Sequence, residues 1–478
     1  MRVIRVVRPS QRAGWASIVD SGRVRGPFPV SRARQFCLIL AGTVLVMPFR
    51  DPHDEYPDEP VANGGVPEES VRAEESVWSE DGESEADTGK PPVVAPNPAP
   101  APVQVQVSPK IPGPGVFESF GWLVGVIGVH LVATAIVVVV IALMVVGLSG
   151  DRELMRDPER LQLAVTEHIG VVMGGDQFLF VMVVLVAVGL RLSIPSDPSS
   201  GPWSRLWNRL GRQRLSWPHA LAIVLVVIPV SLSCGQLFVV ANRVWRSMLE
   251  AMPGLPDVES VQEVNILSGL AESLPLPILV IVLAVLPAIG EELVFRGVIG
   301  RGLVARCGIV QGIFVTSLLF AVAHLHPAHQ ISVFPLGVLL HVIYLATRSI
   351  LAPILLHFLV NSWAAVLAKA SLGMKDEGEG GEGAELLMGD DLMAWYVLLP
   401  AVVASLSAIG FFWRSRIEFR DSSGSWWWPA YRSVETPPGP AESTRLKPPR
   451  ILVVAFCAAL LCFYVSAGWE IARLSNGG

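Results

Sequence analysis

Long apolar runs fill the chain from about Gly121 onward, and they set what it can fold into. They lie at about 121–148, 177–190, 219–241, 274–290, 309–325, 331–346, 350–370, 392–413 and 451–469. The hydrocarbon core of a bilayer is about 30 Å thick, so a spanning helix needs roughly 20 apolar residues. In that medium every backbone N–H and C=O has to be paired within its own segment, which makes helices the expected elements. The runs predict an all-α, polytopic transmembrane helical bundle of about 8–9 spans. The second and sixth runs are the weakest, hence the range. Charged residues make up 16% of the chain, against about 25% in soluble domains.

The stretch before the first span reads differently. Residues 1–50 are a basic N-terminal segment with a short apolar run at 36–49. Fourteen residues are few for a span, and the pattern also resembles a signal sequence without a clear cleavage site. Residues 51–115 are first acidic and then proline-rich. Residues 51–90 hold 14 Asp/Glu against Arg72 and Lys90, and 91–115 hold nine prolines. Such a composition cannot bury a core, so a disordered N-terminal tether is expected. The local charge of −12 leaves the remainder of the chain at +6, set against the total of −6. Beyond the tether the expected divisions are N-terminal transmembrane helices over 116–270, a membrane core over 271–370, and C-terminal helices with a basic loop over 371–478.

Arginine marks alternate loops. Arg191, Arg205, Arg209, Arg212 and Arg214 follow the second span; Arg296, Arg301 and Arg306 follow the fourth; Arg348 follows the sixth; and 414–450 holds seven Lys/Arg. The 371–391 loop has one Lys and seven Asp/Glu. The positive-inside rule then puts the basic loops and the tether in the cytoplasm. Trp426, Trp427 and Trp428 suit an interfacial anchor. No basic face with interleaved aromatics appears, so nucleic acid is not an expected partner. Cys37, Cys234, Cys307, Cys457 and Cys462 form no CxxC pair, and the expectation is packing residues rather than a disulfide framework or thiolate zinc site.

Ionisable groups inside spans are costly and call for a reason. Three neighbouring stretches carry them. Glu291, Glu292 and Arg296 continue the fourth run; Glu292 and Arg296 are one turn apart and can pair, while Glu291 points about 100° away. Phe320 and His324 are one turn apart at the end of the fifth run. His357 and Asn361 share a face of the seventh. Each alone reads equally as something plain: a charged span end, a histidine at a helix terminus, or a polar clamp between helices. Together they offer Glu, His, His and Asn in order on successive apolar segments. That set can polarise a water, accept its proton and stabilise an oxyanion; it can equally ligate a zinc ion.

The three motifs, Glu291-Glu292-xxx-Arg296, Phe320-xxx-His324 and His357-xxx-Asn361, resemble the CPBP family of CAAX proteases and bacteriocin-processing enzymes, also called Abi, and look like type II CAAX prenyl endopeptidases. The resemblance covers roughly 270–370. It implies a membrane endopeptidase, named a metalloprotease in much of the family. Glu291 with His324 would activate the water, His357 and Asn361 would stabilise the oxyanion, and Glu292 and Arg296 would support them. If a metal is used, zinc or another divalent ion would sit on Glu291, His324, His357 and Asn361; a metal-free glutamate mechanism is equally open. Expected partners are membrane lipids and a protein or peptide substrate, membrane-embedded or lipid-modified, and the expected location is a bacterial cytoplasmic (inner) membrane. HExxH is absent, Gly174-Gly175-Asp176 is not GxGD, and Ser231 to Gly235 lacks GxSxG spacing. A proton-coupled transporter and a non-catalytic membrane scaffold are the rival readings; the first lacks repeat symmetry.

One geometric problem follows. If the fourth span ends near Ile289, Glu291 lies close to one membrane face, whereas His324 is 15 residues into the fifth run, about 22 Å along a straight helix. For the two to meet, either the fourth helix runs on past Glu291 or the fifth begins outside the membrane.

Overall fold

The computed structural model describes residues 113–150, 152–193, 201–252, 263–376, 392–420, 424 and 442–476. The basic N-terminal segment, nearly all of the tether, most of the 371–391 loop and the Trp426–428 anchor lie outside the described residues. In chain order the helices are α1 (Val116–Ser149), α2 (Pro158–Thr166), α3 (Ile169–Ser193), α4 (Pro202–Leu210), α5 (Trp217–Ala251), α6 (Glu263–Ser273), α7 (Leu276–Cys307), α8 (Ile309–Val322), α9 (Pro327–Thr347), α10 (Leu351–Asp376), α11 (Trp395–Arg414) and α12 (Arg450–Asn476). Between the last two helices, β1 (Ile417–Arg420) pairs antiparallel with β2 (Glu442–Arg445).

Eight of these helices, α1, α3, α5, α7, α9, α10, α11 and α12, are long and apolar enough to cross a membrane. The fourth expected span is the one that changes most. It does not stop at residue 290 but continues to Cys307, so the Glu291–Arg296 stretch lies in the middle of a 32-residue helix. Two π-helical turns, Ile281–Val285 and Phe295–Gly300, flank its central α-helical piece Leu286–Val294. The expected fifth span is only 14 residues, Ile309–Val322, about 21 Å of helix.

Contacts between loops fix how these helices alternate. Arg212 forms a backbone bridge with Ser349, and Ile350 N donates to Gly211 O. The loops before α5 and after α9 therefore share one end of the bundle. The chain reaches the second from the first through α5, α7, α8 and α9. An even number of traverses is needed, so α8 reverses the chain despite its length. The same end gathers Pro114, which accepts from Arg306 Nη1, Glu118, which accepts from Arg191 Nε, and Ile417, whose carbonyl accepts from Arg348 Nε. Arginine is thus concentrated at this end of the molecule.

Packing centres on two apolar clusters. One joins α5, α9, α10, α11 and α12 through Ile223, Val226, Leu340, Leu356 and Phe412. The other joins α1, α3, α7, α8 and α9 through Phe180, Val294, Phe295, Phe320 and Tyr344. α7 lies between them, its central residues nearly all buried. Small residues permit this: a Cβ on Gly312 of α8 would meet Val304 Cα at 2.5 Å. Cys234, Cys457 and Cys462 are free thiols.

Candidate active site

The middle of α7 supplies two glutamates in different surroundings. Glu292 and Arg296 are one helical turn apart and point into the protein, both side chains at 0% exposure; Arg296 Nη1 donates to Glu292 Oε1 at 2.7 Å. Arg296 Nη2 donates to Gly337 O on α9 at 3.0 Å. Glu291 keeps 18% of its side chain exposed, and its Oε2 makes no hydrogen bond among the described residues. One carboxylate is locked and its neighbour is not.

His357 reaches this pair from α10. Its Nδ1 lies 2.9 Å from Glu292 Oε1, and its Nε2 lies 4.0 Å from Glu291 Oε2. A carboxylate held by arginine only accepts, so the Nδ1 proton points at Glu292 and Nε2 is the nitrogen turned toward Glu291. Asn361, one turn further along α10, donates from Nδ2 to Leu283 O at 3.0 Å. Leu283 lies in the first π-helical turn of α7, where the widened hydrogen-bond ladder frees backbone carbonyls.

Phe320 of α8 ties the motifs together. Its ring is 1% exposed and lies under Arg296 Cζ at 4.5 Å. It meets the rings of Phe295, His324 and His357 edge-on, with centroids 5.3, 5.1 and 5.9 Å away. The phenylalanine of FxxxH is therefore the platform on which the buried arginine and both histidines rest, an electrostatic as well as a packing role. Gly337 allows the approach: a Cβ there would come within 3.1 Å of Phe320 Cδ1.

His324 Nδ1 lies 3.0 Å from Phe320 O. A carbonyl only accepts, so Nδ1 carries the hydrogen and Nε2 keeps its lone pair. No hydrogen bond or ion pair joins His324 to Glu291; its nearest ring neighbours are Phe320 and His329, the latter at 4.7 Å between centroids. The structure thus brings Glu291, Glu292, Arg296 and His357 into direct contact, attaches Asn361 to the same helix, and seats His324 on the other side of Phe320. Among the described residues no three His, Cys, Asp or Glu groups gather closely enough to hold a metal ion.

Residues 273–363 match the family model for Rce1-like type II CAAX prenyl endopeptidases. That span contains all three motifs and agrees with the CPBP resemblance. No curated protein and no solved structure was found to match. With its eight apolar helices, the chain is an integral membrane protein, and its residues 273–363 are similar to type II CAAX prenyl endopeptidases.

Sequence reasoning missed a second polar cluster that borders this core. His130 of α1 and Asp176 of α3 pair at 2.8 Å, and Thr134 Oγ1 also donates to Asp176, at 3.1 Å. Each is an isolated ionisable residue on an apolar run, 46 positions apart, and no spacing rule links them. The available signal was the cost of placing either one in a span.

Proposed function

We propose that the chain is an intramembrane endopeptidase that hydrolyses peptide bonds of membrane-associated or lipid-tethered proteins or peptides. The observation that carries this reading is His357 lying between two unequal glutamates, one held at Oε1 by Arg296 and one with no arginine partner. A polar clamp between helices needs one such carboxylate, and the second is left over for chemistry.

The steps are drawn with side chains alone, in the metal-free form of the reading. Glu291 takes a proton from a water, with the Nε2 lone pair of His324 as the second acceptor that orients it. The water oxygen bonds to the scissile carbonyl carbon, and the carbonyl π pair moves to oxygen. The oxyanion is stabilised by His357 Nε2–H and the Asn361 amide. With Glu291 holding the water's proton and Glu292 offsetting Arg296, the positive charge on a doubly protonated His357 balances the oxyanion. On collapse the C–N bond breaks, and Glu291 returns the proton to the leaving amine. The products are a carboxylic acid and an amine, and the acid then passes its proton to the amine, leaving a carboxylate and an ammonium group.

The proposed setting is a bacterial cytoplasmic membrane, with the arginine-rich end of the bundle in the cytoplasm. The test is turnover of a quenched peptide library by purified protein in detergent, with metal analysis of the same sample. Glu291→Gln is expected to be folded and to lose about 10² or more in turnover, the range for a positioned general base. Wild-type turnover in folded Glu291→Gln would sink the reading and return attention to the transporter alternative.

A further inference from the structure

The His130–Asp176 cluster lies against the middle of α7, beside Gly290 and Glu291. Asp176 has a 4% exposed side chain and receives three hydrogen bonds: His130 Nδ1 at 2.8 Å, Thr134 Oγ1 at 3.1 Å and Gln177 Nε2 at 3.3 Å. A carboxylate at that depth is tolerated only with such donors. Its bond to Nδ1 fixes the imidazole proton and ring orientation, leaving Nε2 as the nitrogen with no hydrogen bond among the described residues. His130 itself is 30% exposed.

A clamp between α1 and α3 is the plain account of this pair. Its position argues for more. Phe180 stacks on His130 with centroids 4.2 Å apart, and the same ring presses on α7 at Gly290. A Cβ at Gly290 would come within 2.5 Å of Phe180 Cε1. Gly290 immediately precedes Glu291, and His130 lies within electrostatic reach of the Glu291 carboxylate. Phe180, Val129 and Val294 also line one apolar cavity of 320 Å³ between α1, α3 and α7. The charged groups facing His130 are then Asp176 from α3 and Glu291 from α7.

We propose that His130, held by Asp176, is a positioning residue for Glu291: through its free Nε2 it keeps the Glu291 carboxylate turned toward the reacting water. Nδ1 stays on Asp176, and no ion pair within 4.0 Å joins His130 to Glu291, so Nε2 acts on that carboxylate across a longer gap than His357 does. This inference rests on the hydrolytic role of Glu291 given above.

The experiment measures kcat, KM and thermal midpoint in detergent on a peptide that the wild type cleaves. The variants are His130→Phe, which keeps a ring on Phe180, His130→Ala, Asp176→Asn, Glu291→Gln and the His130→Phe/Glu291→Gln pair. The expected result is a fall in kcat of about tenfold in both His130 variants and in Asp176→Asn, with KM within about twofold, the signature of an interaction that matters in the transition state. Added imidazole restores part of kcat to His130→Ala, and the pair is no worse than Glu291→Gln alone. Full kcat in the His130 variants beside an inactive Glu291→Gln overturns this inference and leaves the hydrolytic reading standing. Full turnover in Glu291→Gln overturns the reading beneath it. Loss of kcat that follows loss of thermal stability in every variant, with no rescue by imidazole, makes the pair a clamp only and also overturns the inference.

Discussion

His357 Nδ1 and Glu292 Oε1 lie 2.9 Å apart, and that oxygen also accepts Arg296 at 2.7 Å. The motif on α10 is therefore attached to the motif on α7 through a single buried atom. Glu292→Gln is expected to damage the fold as well as the activity, because Arg296 and His357 lose the charge they converge on. Breaking one side of a buried pair costs about 3–5 kcal/mol. Thermal unfolding in detergent should show a clear drop for Glu292→Gln and little change for Glu291→Gln. Equal midpoints for the two variants would contradict the division between a locked and a free carboxylate.

Phe320 offers a second test. Phe320→Ala removes a fully buried ring and should cost about 3–5 kcal/mol. Phe320→Leu refills most of the volume but gives Arg296 no ring face and the two histidines no ring edge. Stability should largely return in Phe320→Leu while turnover stays about tenfold low. Recovery of both together would reduce Phe320 to a packing residue.

A third prediction concerns His324, which does not touch Glu291 directly. If both act on one water, His324→Ala should match Glu291→Gln in effect, and the double variant should be little worse than either single one. Multiplying losses, read from single-turnover rates, would show that the two residues serve separate steps.

Topology can be tested at the Arg212–Ser349 bridge. Antiparallel backbone partners have Cα atoms about 4.5–5.5 Å apart, within the range a disulfide spans. Cysteines introduced at 212 and 349 should oxidise to an intramolecular cross-link without loss of fold. Arg205→Cys, at the same arginine-rich end, should resist membrane-impermeant thiol reagents in intact cells. Labelling of Arg205→Cys from outside would invert the assigned orientation.

Much of the architecture was legible from apolar runs alone, since a span's length is imposed by the bilayer and not by its neighbours. What misled was polarity. Glu291, Glu292 and Arg296 look like the end of a span, because such a triplet belongs in headgroups unless its members pair. Only the third dimension shows Arg296 capped by Glu292, Gly337 O and Phe320, which lets α7 continue to Cys307. The same finding removes the depth mismatch between Glu291 and His324. The motif residues themselves were readable because their spacing is local, one turn in each case. The contact between His357 and Glu292 and the His130–Asp176 pair join residues far apart in sequence, on helices whose relative rotation no local pattern records. The β1–β2 hairpin was equally hidden, its second strand being a short, fully exposed segment.

The π-helical turns of α7 have one more implication. An α-helix advances about 100° per residue, and a π turn takes up roughly one residue more than its α counterpart. Each such turn therefore resets the angular phase of all that follows. With one before Leu286 and one after Val294, the central piece behaves like a sleeve on a shaft. Its two glutamates are aimed independently of the faces that the outer segments bury. Removing a single residue from Ile281–Val285 would leave the length of the span almost untouched, yet swing the Glu291–Glu292 pair out of line with His357.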